Sequence, residues 1–201
     1  MKNANRVRIA GMAGMFGAAL WLVALFIEYG FSLFPPGSGA LFTANQAMFF
    51  IAQLCYVAVI VGLVWAGAAG SGLFGRISLG LFAFGWTVLA GALSVSLISD
   101  SPVADALIPI GGIASTLGGL LAGIAVAVAG RLGGWRSFAP LIQGLYHSLV
   151  LFLPLFADRE PTRVTESLWT GTWFLIGLAL VASARGAEPA TKRESKELVE
   201  A

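Results

Sequence analysis

The stretch ADALIPIGGIASTLGGLLAGIAVAVA, residues 104 to 129, decides the fold. After Asp105 it holds no charged residue, and its polar content is confined to small side chains. The hydrocarbon core of a bilayer is about 30 Å thick and needs roughly 20 mostly apolar residues to cross it as a helix. This stretch is long enough. In lipid every backbone N–H and C=O must find a partner within the chain, which leaves helices or closed barrels. Barrel strands alternate polar and apolar residues; these residues do not alternate, so they are read as a helix.

Five further stretches read the same way: Ile9–Gly30, Gln46–Ala68, Ile77–Ile98, Phe138–Ala157 and Ser167–Ala184. Together they predict an all-α, polytopic membrane protein, a bundle of six transmembrane helices over residues 1–184. Short polar or Gly/Pro-rich connections separate them, such as Pro35-Pro36-Gly37-Ser38-Gly39, Gly70-Ser71-Gly72 and Gly133-Gly134. Residues 185–201 change abruptly in composition and are expected to form a flexible cytoplasmic tail in which four bases face four acids.

Composition supports lipid as the solvent. Of 201 residues, 58% are hydrophobic and only 11% charged, with mean hydropathy +0.86. A water-facing domain carries roughly 25% charged residues. The single cysteine, Cys55, excludes an internal disulfide or a C-x-x-C redox pair. With one histidine, the chain also lacks the soft ligands for a zinc or iron–sulfur site, and no cofactor motif is present.

The basic residues give the expected orientation. With the N-terminus in the cytoplasm, that side receives Lys2, Arg6, Arg8, Arg76, Arg131, Arg136, Arg185, Lys192, Arg193 and Lys196, while the other side receives only Arg159 and Arg163. Positive charge is retained on the cytoplasmic side, so both termini are expected inside. The sequence pI near 9.0 then reflects topology and anionic headgroups, and no nucleic-acid partner is needed. The opposite ends of the spans collect Glu28, Asp100, Asp105, Asp158, Glu160 and Glu166. A cleaved signal peptide is the rival reading of the first helix. Its apolar run exceeds the roughly 7–15 residues usual for such a segment, and Glu28 and Tyr29 interrupt before any cleavage site, so a retained helix is preferred.

Small residues let helices approach where lipid supplies no hydrophobic drive. Gly111, Ser115, Gly119 and Gly123 recur every fourth residue and predict a packing stripe, with the fourth helix near the centre of the bundle. A homodimer seam on the same stripe is the alternative. Trp135 and Trp169 fall near span ends and are expected at the headgroup boundary. Trp86 and Trp173 lie deeper, as packing or pocket residues.

Polar groups inside spans are costly and therefore candidate sites. Gln143, Tyr146 and His147 share one helical face near mid-bilayer, and Gln53 with Tyr56 forms a polar edge on the second span. These five are the expected ligand-binding residues, with His147 read as a neutral imidazole hydrogen-bonded across helices. Glu28 is the expected proton or cation group. Ser115 with His147 is a nucleophile–base pair only in outline: rhomboid-type proteases set their serine in G-x-S-G, whereas residues 111–116 read GGIAST. Gln53-Leu54-Cys55-Tyr56 and Gln143-Gly144-Leu145-Tyr146 share Q-x-x-Y, an echo of the inverted repeats that transporters use.

The opening RVRIAGMAGMFGAALWLVALFIEY and the stretch GGWRSFAPLIQGLY are similar to a family of uncharacterised six-helix bacterial membrane proteins. The likeness rests on Arg8-Ile9-Ala10-Gly11, Glu28, Pro140 and Gly144. The resemblance implies the six-span architecture in a bacterial cytoplasmic membrane and carries no activity. The leading expectation is a non-enzymatic module that binds a lipid, hydrophobic small molecule or partner helix. A small secondary transporter using Glu28 comes second, and an intramembrane serine hydrolase third.

Overall fold

In a computed structural model, residues 2–31, 39–98, 102–157, 159 and 161–186 are described. Asp100, Asp158, Glu160, residues 35–38 of the first connection and residues 187–201 of the tail lie outside them. Six helices are each long and apolar enough to cross a membrane: α1 (Lys2–Gly30), α2 (Ala40–Trp65), α3 (Leu73–Ile98), α4 (Pro102–Ala129), α5 (Gly134–Leu155) and α6 (Arg163–Gly186). No strand occurs among the described residues. Many large apolar side chains face outward, among them Phe16, Phe26, Leu117, Val128, Leu153 and Phe174, as lipid contact requires.

The helices form a closed ring in chain order. Each packs on the next, and α6 returns to pack along α1. Neighbours run antiparallel: Gly11 meets Gly177 while Tyr29 meets Arg163, and Gly17 meets Cys55 while Ala10 meets Gly62. We call the end where α1 begins the near end and the other the far end. Arg6 lies over the Trp65 ring at 5.8 Å and ties α1 to α2 at the near end.

Close backbone approach holds the ring together. A Cβ on Gly11 would lie 2.6 Å from the Gly177 carbonyl oxygen, and one on Gly177 would lie 2.6 Å from that of Gly11. Gly85 of α3 meets the Ser115 backbone of α4, and Gly118 meets that of Phe82. A Cβ on Gly123 would lie 2.6 Å from Leu141 Cα, and one on Gly144 would lie 2.6 Å from the Gly119 carbonyl oxygen. The fourth helix is therefore a member of the ring and not its hub. It touches α3 and α5 but not α1, α2 or α6. Its small residues serve two neighbours: Gly111 and Ser115 face α3, Gly123 faces α5, and Gly119 lies beside Phe82 of α3 and Gln143 of α5. The same chain covers this stripe, so its small residues serve contacts within the bundle.

Two departures from regular helix shape the interior. Gly67, in the left-handed region at φ 61°, turns the chain out of α2 ahead of the expected end at Ala68. The fifth span is not the single α-helix that hydropathy suggests. It opens with a 3-10 turn (Gly134–Ser137), continues as α-helix (Ala139–Tyr146), then widens to a π-helix (His147–Phe152) before a last turn at Leu153–Leu155. Pro154 accounts for the widening. It has no N–H for a carbonyl four residues back, and its ring would crowd that of Val150. Leu153 N–H instead reaches the Ser148 carbonyl, five residues back. Wide turns of this kind are often found at functional sites, and His147 opens this one.

Candidate functional site

The centre of the ring is filled by aromatic side chains from five helices: Trp21 (α1), Phe49 and Tyr56 (α2), Phe82 and Trp86 (α3), His147 (α5), and Trp169 and Trp173 (α6). Tyr56 stacks on Trp173 at 4.2 Å with ring planes 11° apart, and Phe82 stacks on the same indole at 5.6 Å. Trp86 stacks on Trp169 at 5.7 Å. Trp21 sets its edge against Phe49 at 4.7 Å and Trp169 at 5.1 Å. His147 completes the group, 5.8 Å from Trp169 and 6.2 Å from Trp86. Tyr56 and Trp173 are fully buried.

Chemically, the cluster carries more polar atoms than it satisfies. The indole nitrogens of Trp21, Trp86, Trp169 and Trp173, the Tyr56 hydroxyl, His147 Nδ1 and Gln53 Oε1 are all buried without a hydrogen-bond partner in the protein. So are both amide atoms of Asn45. A buried unpaired group costs on the order of 1–3 kcal/mol, and hydrocarbon outside the bundle offers no relief. Edge-to-face packing lets an indole N–H rest against a neighbouring π-face, but such contacts are second-order. They give nothing to the Gln53 carbonyl or to the amide oxygen of Asn45. The arrangement is thus a set of flat apolar faces edged mainly by donors.

The residues singled out from sequence separate into different surroundings. Tyr56 belongs to the cluster, and Gln53 is buried about one turn away on the same helix. Of the trio Gln143, Tyr146 and His147, only His147 joins its rings. Gln143 is buried at the α4 boundary, with Oε1 beside Gly119. The Tyr146 hydroxyl donates to the Thr165 carbonyl at 3.1 Å and clips α5 to α6. The two tyrosines of the Q-x-x-Y echo therefore occupy unlike sites, one stacked and unpaired, the other hydrogen-bonded.

Three expectations need correction. Trp169 is 3% exposed and lies inside the cluster, because α6 begins at Arg163, a full turn before the apolar run; Trp135 is half exposed. His147 is held by ring contacts, with no hydrogen bond from Nδ1 across helices. Ser115 donates its hydroxyl to the Gly112 carbonyl at 3.1 Å in its own helix, so no Ser–His pair exists. Sequence reasoning missed Trp21, hidden in an apolar run, and Asn45, one residue outside the predicted second span. The helical spacing of Asn45, Phe49, Gln53 and Tyr56 along one face was the available signal.

Above the cluster, at the far end, lies a charged group. The α1–α2 register set by Ala10–Gly62 and Gly17–Cys55 continues to place Asn45 level with Glu28. Glu28 is 6% exposed and within electrostatic reach of Glu166 on α6. The Tyr29 hydroxyl donates to Glu166 Oε2 at 3.5 Å, and the Arg163 guanidinium lies 4.6 Å above the Tyr29 ring. Beside them a groove of about 260 Å³ opens between α1 and α6, lined by Leu22, Leu25, Phe26, Tyr29, Gly30, Arg163 and Ser167. No group of three metal-ligating side chains comes together among the described residues.

Fold and site together define a multi-pass, six-helix membrane protein with an aromatic, donor-rich interior. Comparison with family models, with curated proteins and with solved structures gives no match.

Proposed function

We propose that this protein resides in the cytoplasmic membrane of a bacterium, with both termini cytoplasmic, and binds a small amphipathic molecule at its aromatic cluster without converting it. The excess of Lys and Arg at the near end supports the orientation. One observation carries the binding reading: the buried, unpartnered polar atoms of Trp21, Trp86, Trp169, Trp173, Tyr56 and His147 around stacked rings. Indole nitrogens only donate. The ligand that suits them is flat and apolar and carries acceptor oxygens such as carbonyls. Small-molecule sites use aromatic side chains for affinity and a few polar atoms for orientation.

Native mass spectrometry of protein purified in mild detergent is expected to find one such molecule bound per chain. A Tyr56→Phe, Trp86→Phe variant keeps ring packing but removes two polar atoms. It is expected to lose about tenfold in retention, equivalent to roughly 1.4 kcal/mol, while remaining folded. Protein that carries no small molecule, together with a double variant more stable than the parent, would reduce the cluster to packing.

A second reading, secondary transport, is favoured by Glu28, a carboxylate buried beside a second one, Glu166. Ionisable groups buried between spanning helices mark ion pathways, and a cation shared by the two would relieve their repulsion. On this reading proteoliposomes are expected to show a proton- or sodium-dependent current that Glu28→Gln abolishes. Electrically silent liposomes with unchanged internal pH would remove it.

A further inference from the structure

We propose that the far-end groove between α1 and α6 is a specific site for a phospholipid with a zwitterionic, primary-amine headgroup, phosphatidylethanolamine. The site is distinct from the aromatic cluster, and the proposal does not depend on the reading of that cluster.

The groove has two chemistries in sequence. Its deeper part is a stripe of Leu22, Leu25 and Phe26, at i, i+3 and i+4 on α1, with Phe26 76% exposed. From Tyr29 down to Leu22 the helix rises about 10 Å, enough for the upper half of an acyl chain. The rim is polar: Arg163 and Ser167 come from the first two turns of α6, and Tyr29 comes from the last turn of α1. A first-turn arginine on a spanning helix lies at headgroup level.

Charge selects the headgroup. Arg163 stacks on Tyr29 and makes no salt bridge among the described residues, so its guanidinium is available to a phosphate, which it binds in bidentate fashion. At the edge of the groove Glu166 accepts from the Tyr29 hydroxyl, and the buried Glu28 lies within electrostatic reach of Glu166. The Glu166 carboxylate next to Arg163 opposes a purely anionic lipid. A dipolar headgroup satisfies both signs, with its phosphate on Arg163 and Ser167 and its ammonium toward Glu166. Arg163 and Glu166 are i, i+3 neighbours and so lie on the same side of α6. A primary ammonium donates hydrogen bonds to a carboxylate, whereas the trimethylated headgroup of phosphatidylcholine cannot.

The test uses full-length protein, delipidated in detergent and titrated with phosphatidylethanolamine, phosphatidylcholine or phosphatidylglycerol of matched chains, with bound lipid counted by native mass spectrometry. Phosphatidylethanolamine is expected to be retained about tenfold better than either competitor. Arg163→Gln is expected to lower its retention about tenfold. Glu166→Gln is expected to erase the preference over phosphatidylcholine while leaving phosphatidylcholine binding as it was. Thermal unfolding of both variants in detergent identifies any loss that comes from misfolding. Equal retention of the three lipids, a preference for phosphatidylglycerol, or wild-type selectivity in a folded Glu166→Gln protein would each overturn the proposal.

Discussion

Leucine in place of Gly85 or Gly118 is expected to prevent the bundle from assembling. The first side-chain carbon at either position meets backbone of the facing helix, that of Ser115 for Gly85 and that of Phe82 for Gly118. No rotamer change relieves a contact with backbone, so α3 and α4 must separate along their whole length. Overpacking in a tight core costs roughly 1–3 kcal/mol, and helix separation places these sites at or above the top of that range. Control substitutions are available on the same helix. A Cβ on Gly80 or Gly91 meets nothing within 4 Å, and replacing a helix glycine gains up to about 1 kcal/mol in propensity. Thermal unfolding followed by size exclusion in detergent is expected to show Gly85→Leu and Gly118→Leu aggregated or strongly destabilised, with Gly80→Leu and Gly91→Leu at or above wild type. Equal behaviour of the two pairs would mean that α3 and α4 do not pack as described.

The second large effect is expected at Trp173. Its indole stacks on Tyr56 and Phe82 and takes edge contacts from Trp86 and Trp169, so it joins α2, α3 and α6. Trp173→Ala leaves a cavity at the centre of the ring, and a buried Trp→Ala change costs about 3–5 kcal/mol. Trp173→Phe keeps a ring in the stack and removes the N–H, and is expected to cost well under half as much. Melting in detergent gives the first comparison. Emission from the remaining tryptophans gives the second, since loss of the stack admits detergent or water and shifts it to the red. A Trp173→Ala protein with wild-type stability would show that the cluster is not the core.

The number and order of the spans were legible because desolvating a run of some 20 residues is a property of composition alone, and Ile9–Gly30 or Ala104–Ala129 carries it whatever its neighbours do. The helix ends were not. Hydropathy marks where the solvent changes, but backbone hydrogen bonding carries α1 back to Lys2 and α6 back to Arg163, through the charged residues that flank the apolar runs. That offset misplaced two site residues. Asn45 fell one residue outside the expected second span, and Trp169 looked interfacial because the true start of α6 lies six residues before it. Tyr56, Gln53 and His147 were found because polar groups inside a span stand out from their own surroundings. Trp21 does not, since an indole in an apolar run reads as apolar. Which rings meet depends on the rotation of each helix about its axis, and its partners set that rotation. The π-segment was likewise a matter of one residue, Pro154, acting on the turn that precedes it.

The seam between Gly11 and Gly177 has a consequence for biogenesis. During synthesis α1 leaves the ribosome first, and the surface that receives α6 stays uncovered until the sixth helix has been inserted. Five helices in the bilayer make an open crescent whose exposed edge is the glycine face of α1. A chaperone or insertase that shields this edge in the nascent protein would have to leave before the circle closes.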